Sequence, residues 1–316
     1  MSARWLEVQI PIPALRTATV IFFDSGGRRV MVDASMDRQG AAQISGSGLL
    51  DGGLDYVLFT HMHIDHIGGF AHLSERLSAE TIMGRKDAEI VYRAAQDINS
   101  FTREISEEFA ALGVPESLVS QMTSLHPMVR GYGTYSRMEF DILVDTRFRI
   151  PGTSLEAVVY PGHTPSSLCL FDTSTGEVAT GDHILERITP NISFYDMEVD
   201  YLGSYLESLS AFSSAVSRVA YPGHGPPFQD PAGRARRIME HHTLRSSQIL
   251  SVLGEKKTAY QVADSIPWKR GVGLSGLDIN QKIFAIAEAE AHLRHMVATG
   301  TLRLETENGV RVYMRA

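Results

Sequence analysis

The feature that most restricts the fold is a run of six residues, His-Met-His-Ile-Asp-His at 61–66, placed directly after a short apolar segment at 54–60. The apolar segment is typical of a buried β-strand, which would present the polar run at its end. The first two histidines are two residues apart and can point the same way from an extended chain, whereas the Asp and the last His follow on a tight turn. The run therefore predicts ligands for two neighbouring metal ions.

Three further predicted strands end in glycine-containing turns that present a His or an Asp. They are residues 155–160 before His163, 178–180 before Asp182 and 218–221 before His224. Glycine lets the backbone turn sharply, so a rigid sheet can aim these side chains at one place. Imidazole and carboxylate ligands without a thiolate suit zinc, and also manganese or iron. We expect two Zn²⁺ ions, with Mn²⁺ or Fe²⁺ as alternatives.

The rest of the first 230 residues predicts an α/β domain. Segments 8–12, 18–23 and 29–33 read as strands that open the domain in antiparallel fashion. Residues 86–140 have helical spacing of apolar residues and predict a helical insertion over the active site. A loop within it is expected to line the substrate pocket, together with one residue that follows Asp182. The predicted substrate-binding residues are His126, Arg130, Tyr132, Tyr135 and Asn191.

Residues 231–316 form a tail with a different charge. They carry 13 Lys and Arg against 8 Asp and Glu, a net charge of +5, which leaves −13 on residues 1–230 out of −8 overall. The pattern predicts helices at 237–253 and 259–266, a long amphipathic helix ending at Gly300, and a hairpin around 307–309. We therefore predict two domains, 1–230 and 231–316. No leader or membrane-spanning run is evident in the sequence, so a cytoplasmic location is expected.

The order of these motifs resembles the metallo-β-lactamase superfamily. His-X-His-X-Asp-His is followed by Gly68-Gly69, then by Pro-Gly-His-Thr at 161–164, Gly-Asp-His at 181–183 and Pro-Gly-His-Gly at 222–225. The resemblance spans about residues 7 to 230 and implies an αββα sandwich with a helical insertion. The tail looks like the small winged-helix appendage of β-lactamase-like 2 proteins.

The resemblance also implies a role for each of seven residues. One ion would be held by His61, His63 and His163, the other by Asp65, His66 and His224, and Asp182 would bridge them. Zinc β-lactamases with a Cys ligand have it where this chain has Asp182, so the pattern is closer to that of glyoxalase II, lactonases and related hydrolases. Asp65 and Asp182 are the predicted catalytic residues, since either can orient the attacking water or take up a proton.

The leading prediction is a binuclear metal-dependent hydrolase that cleaves an ester, lactone or thioester of a small acyl substrate by a metal-bridging hydroxide. One alternative is an endoribonuclease of the β-lactamase-like 2 type, and another is a diiron or persulfide-dioxygenase-type oxidoreductase. Nucleic acid is not the expected partner, because the charge of the catalytic part is negative and the tail is only modestly basic. A membrane partner is not expected either, and a homodimer is favoured only because such dimers are common.

Overall fold

Two six-stranded sheets lie at the centre of the described chain. The structure is a computed structural model that describes residues 3–74, 77–193, 195–196, 198–268 and 271–316. In spatial order, the first sheet contains β1 (Arg4–Gln9), β2 (Thr17–Ser25), β3 (Arg28–Val32), β4 (Tyr56–Leu58), β5 (Glu80–Gly84) and β6 (Ile142–Val144). The second contains β7 (Arg147–Arg149), β8 (Leu155–Val159), β9 (Leu168–Asp172), β10 (Glu177–Gly181), β11 (Val219–Pro222) and β12 (Phe228–Gln229).

The pairing of strands confirms the antiparallel opening. β1 pairs with β2 and β2 with β3 in antiparallel fashion, whereas the strands from β3 to β6 are parallel neighbours. In the second sheet, β10 and β11 are parallel and the other neighbours are antiparallel. The parallel strands β10 and β11 therefore end at the same edge of their sheet, which places the residues that follow them side by side.

Helices cover the outer faces of both sheets and form the tail. The helices are α1 (Arg38–Gly46), α2 (Ile64–Ile67), α3 (Arg85–Gln96), α4 (Ile98–Ala111), α5 (Glu116–Leu125), α6 (Pro127–Arg130), α7 (Tyr132–Tyr135), α8 (Tyr201–Ser213), α9 (Pro231–Val252), α10 (Ala259–Ser265) and α11 (Ile279–Ala298). Short 3-10 helices lie at Gly68–His72 and Leu274–Gly276. The tail ends in a hairpin of β13 (Leu302–Glu307) and β14 (Val310–Arg315).

Successive residues of β2 face two different cores, which explains the layered architecture. Ile21 and Phe23 belong to the core between the two sheets, which also contains Leu170 of β9. Val20 and Phe22 face the other way, into a core shared with helices α1 and α3. Strands buried on both faces in this way need helices outside them. A third core covers the second sheet with α8 and α9, so the predicted αββα sandwich is confirmed.

The helices α3 to α7 occupy the segment predicted as a helical insertion. Their apolar residues do not pack on the catalytic sandwich alone. Phe109 of α4 and Leu112, which follows that helix, share a buried cluster with Ile286 and Leu293 of α11, together with residues of α9, α10 and the hairpin. The insertion and the tail therefore enclose a common core.

The tail has the predicted order of helices and hairpin, although its first helix is longer than expected. α9 begins at Pro231 rather than at 237, because the side chain of Asp230 accepts a hydrogen bond from the Gly233 amide and a proline occupies the first helical position. Asn308 and Gly309 both have positive φ in the hairpin turn, as an Asn-Gly turn requires. The winged-helix interpretation and the domain boundary at 230 stay predictions. Within the described ranges, no helix is long and apolar enough to span a bilayer.

Candidate metal centre

The seven residues predicted as ligands all follow the carboxyl ends of strands. β4 ends at Leu58, and the chain then passes through His61 and His63 into α2, which carries Asp65 and His66. The other three follow strands of the second sheet: His163 after β8, Asp182 after β10 and His224 after β11. Both sheets therefore contribute to one site, at one end of the sandwich.

The potential ligand atoms form three overlapping groups, and within each group all atoms lie within 4.8 Å of one another. The groups are His61, His63 and His163; His61, His66 and Asp182; and Asp65, His66 and His224. His61 and His66 each belong to two groups, so the seven residues make one continuous cluster. The structure thus brings together all seven predicted ligands, and six of them form the two outer triads that the resemblance implied.

Asp182 lies between the two outer triads. Its Oδ1 atom is 3.5 Å from Nε2 of His66, and its Oδ2 atom is 3.5 Å from Nε2 of His224 and 4.0 Å from Nε2 of His163. These separations are longer than a good hydrogen bond and leave the facing atoms without direct contact. The oxygens of Asp182 therefore lie within 4.0 Å of two histidines of one outer triad and one histidine of the other.

Several inward-facing atoms of the cluster are buried without a partner, which supports a divalent metal at this site. The Nε2 atoms of His66, His163 and His224 and the Oδ1 atom of Asp182 have no hydrogen-bond partner among the described residues. Leaving a buried polar atom unsatisfied costs about 1–3 kcal/mol. Cations bound in the cluster would satisfy these atoms, and nitrogen with carboxylate oxygen is a donor set that zinc, manganese and iron all accept.

Gly223 leaves room for the cluster. A Cβ atom at this position would lie 2.3 Å from Oδ1 of Asp182 and 2.6 Å from Cε1 of His66. Both distances are far below van der Waals contact, so any side chain here would displace two ligand residues. Gly223, the first glycine of the Pro-Gly-His-Gly motif, is therefore required because the backbone passes so close to the ligands.

A buried carboxylate, Asp33, orients two of the histidines. Its Oδ2 atom is 2.7 Å from Nδ1 of His66 and accepts a hydrogen bond of 2.8 Å from the Thr60 hydroxyl. Because the hydroxyl proton is used on Asp33, the Thr60 oxygen is free to accept from Nδ1 of His61, 3.1 Å away. Both histidines then carry their proton on Nδ1 and present the Nε2 lone pair to the cluster, as metal-binding histidines with an outer carboxylate do.

Backbone carbonyls orient two more histidines in the same sense. Nδ1 of His163 lies 2.8 Å from the Asn191 carbonyl oxygen, and Nδ1 of His224 lies 2.6 Å from that of Thr17. A carbonyl can only accept, so both rings donate from Nδ1 and direct Nε2 inward. His224 is thus held by a strand of the opposite sheet, which joins the two halves of the sandwich at the site.

His63 is turned the other way. Its Nδ1 atom is 3.0 Å from Nε2 of His61, and its Nε2 atom is 2.9 Å from the Tyr195 hydroxyl. The Nε2 atom of His63 thus points away from the cluster, toward the Tyr195 hydroxyl. Its Nδ1 atom faces the same space as Nε2 of His61. Tyr195 therefore orients the one ligand histidine that Asp33 and the backbone carbonyls do not hold.

Sequence reasoning missed three positioning residues: Asp33, Asp87 and Tyr195. Asp87 is buried and accepts hydrogen bonds from the backbone amides of Met62 and Ser166, at 3.0 and 2.8 Å. It ties the ligand-bearing loop to the loop after His163. Asp33 offered a signal, because it ends a predicted strand as the ligand residues do; Asp87 and Tyr195 lie in helical and irregular segments where no such pattern marked them.

The charges of the cluster suit cations. Burial lowers the pKa of His63 to about 3. Burial would also lower the pKa of His66, but the charges of Asp33 and Asp182 outweigh it and raise the value to about 9. For Asp65, burial is outweighed by His224 and His66, which lower its pKa to about 2. The carboxylates are therefore ionised at neutral pH, and without a metal the site would hold a proton on His66 that a cation displaces.

The five predicted substrate-binding residues are not gathered as the ligands are. His126 lines a cavity between the insertion and α11, and its Nδ1 atom is buried without a partner among the described residues. Tyr135 is fully buried and its hydroxyl is likewise unpartnered, whereas Arg130 is exposed and Tyr132 is half-buried. The side chain of Asn191 donates to the Phe284 carbonyl oxygen of α11. The substrate role of all five stays a prediction.

The chain is similar to several curated proteins. It is 29% identical over 146 residues to a lactamase-like protein, aptB, of Emericella nidulans, covering 46% of this chain and 42% of that one. It is 24% identical to an atrochrysone carboxyl ACP thioesterase of a Cryptosporiopsis species, with 74% and 57% covered, and 25% identical to a beta-lactamase-like protein 2 homolog of Drosophila melanogaster, with 75% and 68% covered. The chain spans about half the length of the first of these relatives.

Solved structures share the fold over nearly the whole chain. A metallo-beta-lactamase family protein of Thermus thermophilus superposes with a TM-score of 0.76 at 24% identity, covering 99% of this chain and 98% of that one. A beta-lactamase domain protein of Burkholderia ambifaria gives a TM-score of 0.80 at 24% identity, with 99% and 91% covered. The family model described as Metallo-beta-lactamase superfamily matches residues 14–224, from before the first ligand to the last. The chain therefore belongs to the metallo-beta-lactamase superfamily of hydrolases, with a His/Asp cluster suited to divalent metal.

Proposed function

We propose that this protein hydrolyses a carboxylic ester, lactone or thioester of a small acyl compound, with two divalent cations, zinc before manganese or iron, held by the seven-residue cluster. The observation that carries the proposal is the position of Asp182 between two outer triads of ligand atoms. A cluster with a single triad would suit one cation, whereas this one offers two places that share a carboxylate.

The names of relatives favour a thioester as the first bond to test. Two relatives of similar identity are named atrochrysone carboxyl ACP thioesterases, one of a Cryptosporiopsis species and one of Aspergillus fumigatus. The latter is 23% identical over 241 residues, 76% of this chain and 60% of that one. At this level of identity the acyl group and the carrier of those relatives do not transfer to this chain, but the class of bond is a reasonable starting point.

In this proposal, His61, His63 and His163 hold one cation, Asp65, His66 and His224 hold the other, and Asp182 contacts both. When bound, the cations supply Lewis acidity toward the acyl carbonyl and lower the pKa of a water molecule. The water oxygen adds to the acyl carbon while Asp65 or Asp182 receives its proton. The bond to sulfur or oxygen then breaks with its electron pair on the leaving atom, which takes that proton. The products are a carboxylic acid, which keeps the second proton of the water until it ionises in solution, and a thiol or alcohol.

The proposal is tested with protein stripped of metal and reloaded separately with zinc, manganese or iron. Each form is assayed against acyl thioesters, lactones and aryl esters, and its metal content is measured. We expect no turnover without metal, recovery with about two zinc ions per chain, and accumulation of acid and thiol in equal amounts. Stoichiometric recovery with only one ion, or turnover that survives chelation, would contradict the proposal.

Two other outcomes would favour the alternative functions. Cleavage of RNA at a rate that falls steeply with salt, with no thioester turnover, would indicate a ribonuclease that binds phosphates. Full occupancy by iron with consumption of oxygen would indicate an oxidoreductase. Either result would replace the hydrolase proposal, and the ligand cluster would remain as described.

A further inference from the structure

A cavity of about 220 Å³ lies between the helical insertion and the tail. Its walls include five buried apolar side chains, contributed by α4, α6 and α11. These are Phe101, Phe109, Met128, Ile283 and Ala287. The half-buried residues Ile90 and Ile105 complete the apolar lining. An apolar cavity of this size is smaller than the ~300–1,000 Å³ of sites for drug-sized ligands, and it favours a small uncharged group.

The cavity and the candidate metal centre share one residue. Tyr195 lines the cavity, and its hydroxyl lies 2.9 Å from Nε2 of His63. This nitrogen is on the outer side of the His63 ring, so a substrate held at the metal centre would reach the cavity by passing the edge of that ring.

Charged residues also line the cavity, but most of them are paired. Arg93 lies over the ring of Phe101, at 5.4 Å from its centroid, and 3.9 Å from Glu104. Glu108 accepts a hydrogen bond from Arg311 of the tail hairpin. With an excess of acidic groups at the rim and apolar walls inside, the cavity disfavours a ligand that ends in a carboxylate or phosphate.

We propose that this cavity is the acyl-binding subsite, an inference that rests on the proposed function. The acyl chain that binds there is uncharged and carries an oxygen that can form a hydrogen bond. The apolar walls accept the chain, and Tyr195 lies between the His63 ring and the cavity. The oxygen is recognised by His126, whose Nδ1 atom is buried in the cavity wall without a partner among the described residues. Burial also lowers the pKa of His126 to about 4, so the ring is neutral at pH 7 and attracts no anion.

Two series of thioesters separate this proposal from the reverse orientation. In one series the acyl chain grows from acetyl to decanoyl on a constant thiol, and in the other the thiol grows while acetyl is constant. Each buried methylene contributes about 0.8 kcal/mol, which is about fourfold in kcat/KM. We expect this gain for each acyl methylene until the cavity is full, and no comparable gain in the thiol series. A gain confined to the thiol series would overturn the proposal.

Filling the cavity gives the decisive variant. Ala287→Phe places a ring in the cavity from α11, and Ala110→Phe makes the same change at an exposed position of α4. We expect Ala287→Phe to lower kcat/KM for octanoyl thioester more than tenfold and to change acetyl thioester less than twofold, with Ala110→Phe unchanged for both. An unchanged octanoyl preference in Ala287→Phe would overturn the proposal. If Ala287→Phe does not fold, Ile105→Phe fills the cavity from the opposite wall and decides the matter.

Binding measurements keep this test independent of the proposed function. Octanamide is uncharged and is not a substrate of the proposed reaction, and its binding can be measured by calorimetry on the full chain. We expect binding to the original protein and to Ala110→Phe, and its loss in Ala287→Phe. If no ester or thioester is hydrolysed but this pattern of binding holds, the hydrolase proposal fails and the cavity stands. Equal binding of octanamide to all three proteins would overturn the proposed role of the cavity, even if hydrolysis is found.

The polar part of the proposal is tested with hydroxyoctanamides that carry the hydroxyl at successive carbons. A hydrogen bond contributes about 0.5–1.5 kcal/mol, or about 2–12-fold in affinity. We expect one positional isomer to bind more tightly than octanamide by such a factor, and the advantage to disappear in His126→Phe while octanamide binding is kept. If every isomer binds more weakly than octanamide, the role of His126 is wrong.

Discussion

The ligands before residue 70 and those after residue 160 differ in what holds them. His61 and His66 depend on Asp33, which ends the strand next to β4, so their support comes from the same sheet. His163 depends on the carbonyl of Asn191, in a segment that is fastened to α11 of the tail. Of the first group, His61 and His66 are fixed locally and His63 depends on the distant Tyr195, whereas the second group depends on remote contacts. One site can therefore be supported by short-range and long-range structure at once.

The largest effect should come from Asp182, which lies between the two outer triads. Asp182→Asn keeps the size of the side chain but removes the charge between the two outer triads, so we expect loss of at least one metal ion. Loss of an outer-shell partner alone typically costs 10–100-fold, so kcat/KM should fall more than about a hundredfold. Metal analysis and thioester kinetics measure this.

Asp172→Asn is the matched control for that variant. Asp172 is also a buried carboxylate of the second sheet, and it accepts hydrogen bonds from Ser154 and Ser174 outside the ligand groups. Its replacement should leave the metal content unchanged. Equal metal loss in both variants would mean that a general loss of fold, and not the bridging position of Asp182, is responsible.

A slightly smaller effect is expected from Gly223→Ala. The added methyl group would overlap Oδ1 of Asp182 and the ring of His66, and the backbone at Gly223 is outside the left-handed region, so only steric overlap opposes the change. We expect metal affinity to fall by at least about tenfold with a small change in the melting temperature. Gly133→Ala is the control, since a Cβ there would meet no described atom within 4 Å. Unchanged zinc affinity in Gly223→Ala would show that the site relaxes easily.

Asp33→Asn tests the local support of His61 and His66. The asparagine can still accept from one ring but no longer carries the charge that favours a proton on Nδ1 of His66. We expect a fall in zinc affinity of about 10–100-fold, measured by competition with a chromophoric chelator. Asp24→Asn serves as a surface control, because Asp24 pairs with Arg4 and Arg29 away from the cluster. If both variants bind zinc equally well, the backbone alone must orient His61 and His66.

The same local and remote division explains what the sequence could predict. The ligands stand in short motifs at strand ends, and the β-strand pattern of residues 54–60 places the first four of them without knowledge of the fold. Tyr195 reaches His63 from an irregular segment after β10, and His126 reaches the cavity through packing between the insertion and the tail. No periodicity in these segments encodes which distant residues they meet. Hydrophobic spacing predicted the helices of both segments but could not predict their shared core.

The smallest effect is expected from the remote support of His163. Asn191→Ala removes the hydrogen bond of 3.0 Å from the Asn191 side chain to the Phe284 carbonyl oxygen, while the backbone oxygen that accepts from His163 is kept. The segment should then hold His163 less firmly, because only packing fastens it to α11. We expect zinc affinity to fall less than about tenfold, below the range for direct outer-shell partners.

His295→Ala breaks another contact between α11 and the catalytic half, the 2.8 Å pair with Asp200, which touches no ligand. A fall in zinc affinity in Asn191→Ala alone would show that the tail reaches the site through His163. Equal affinity in both variants and the original protein would show that the second group of ligands is as locally determined as the first.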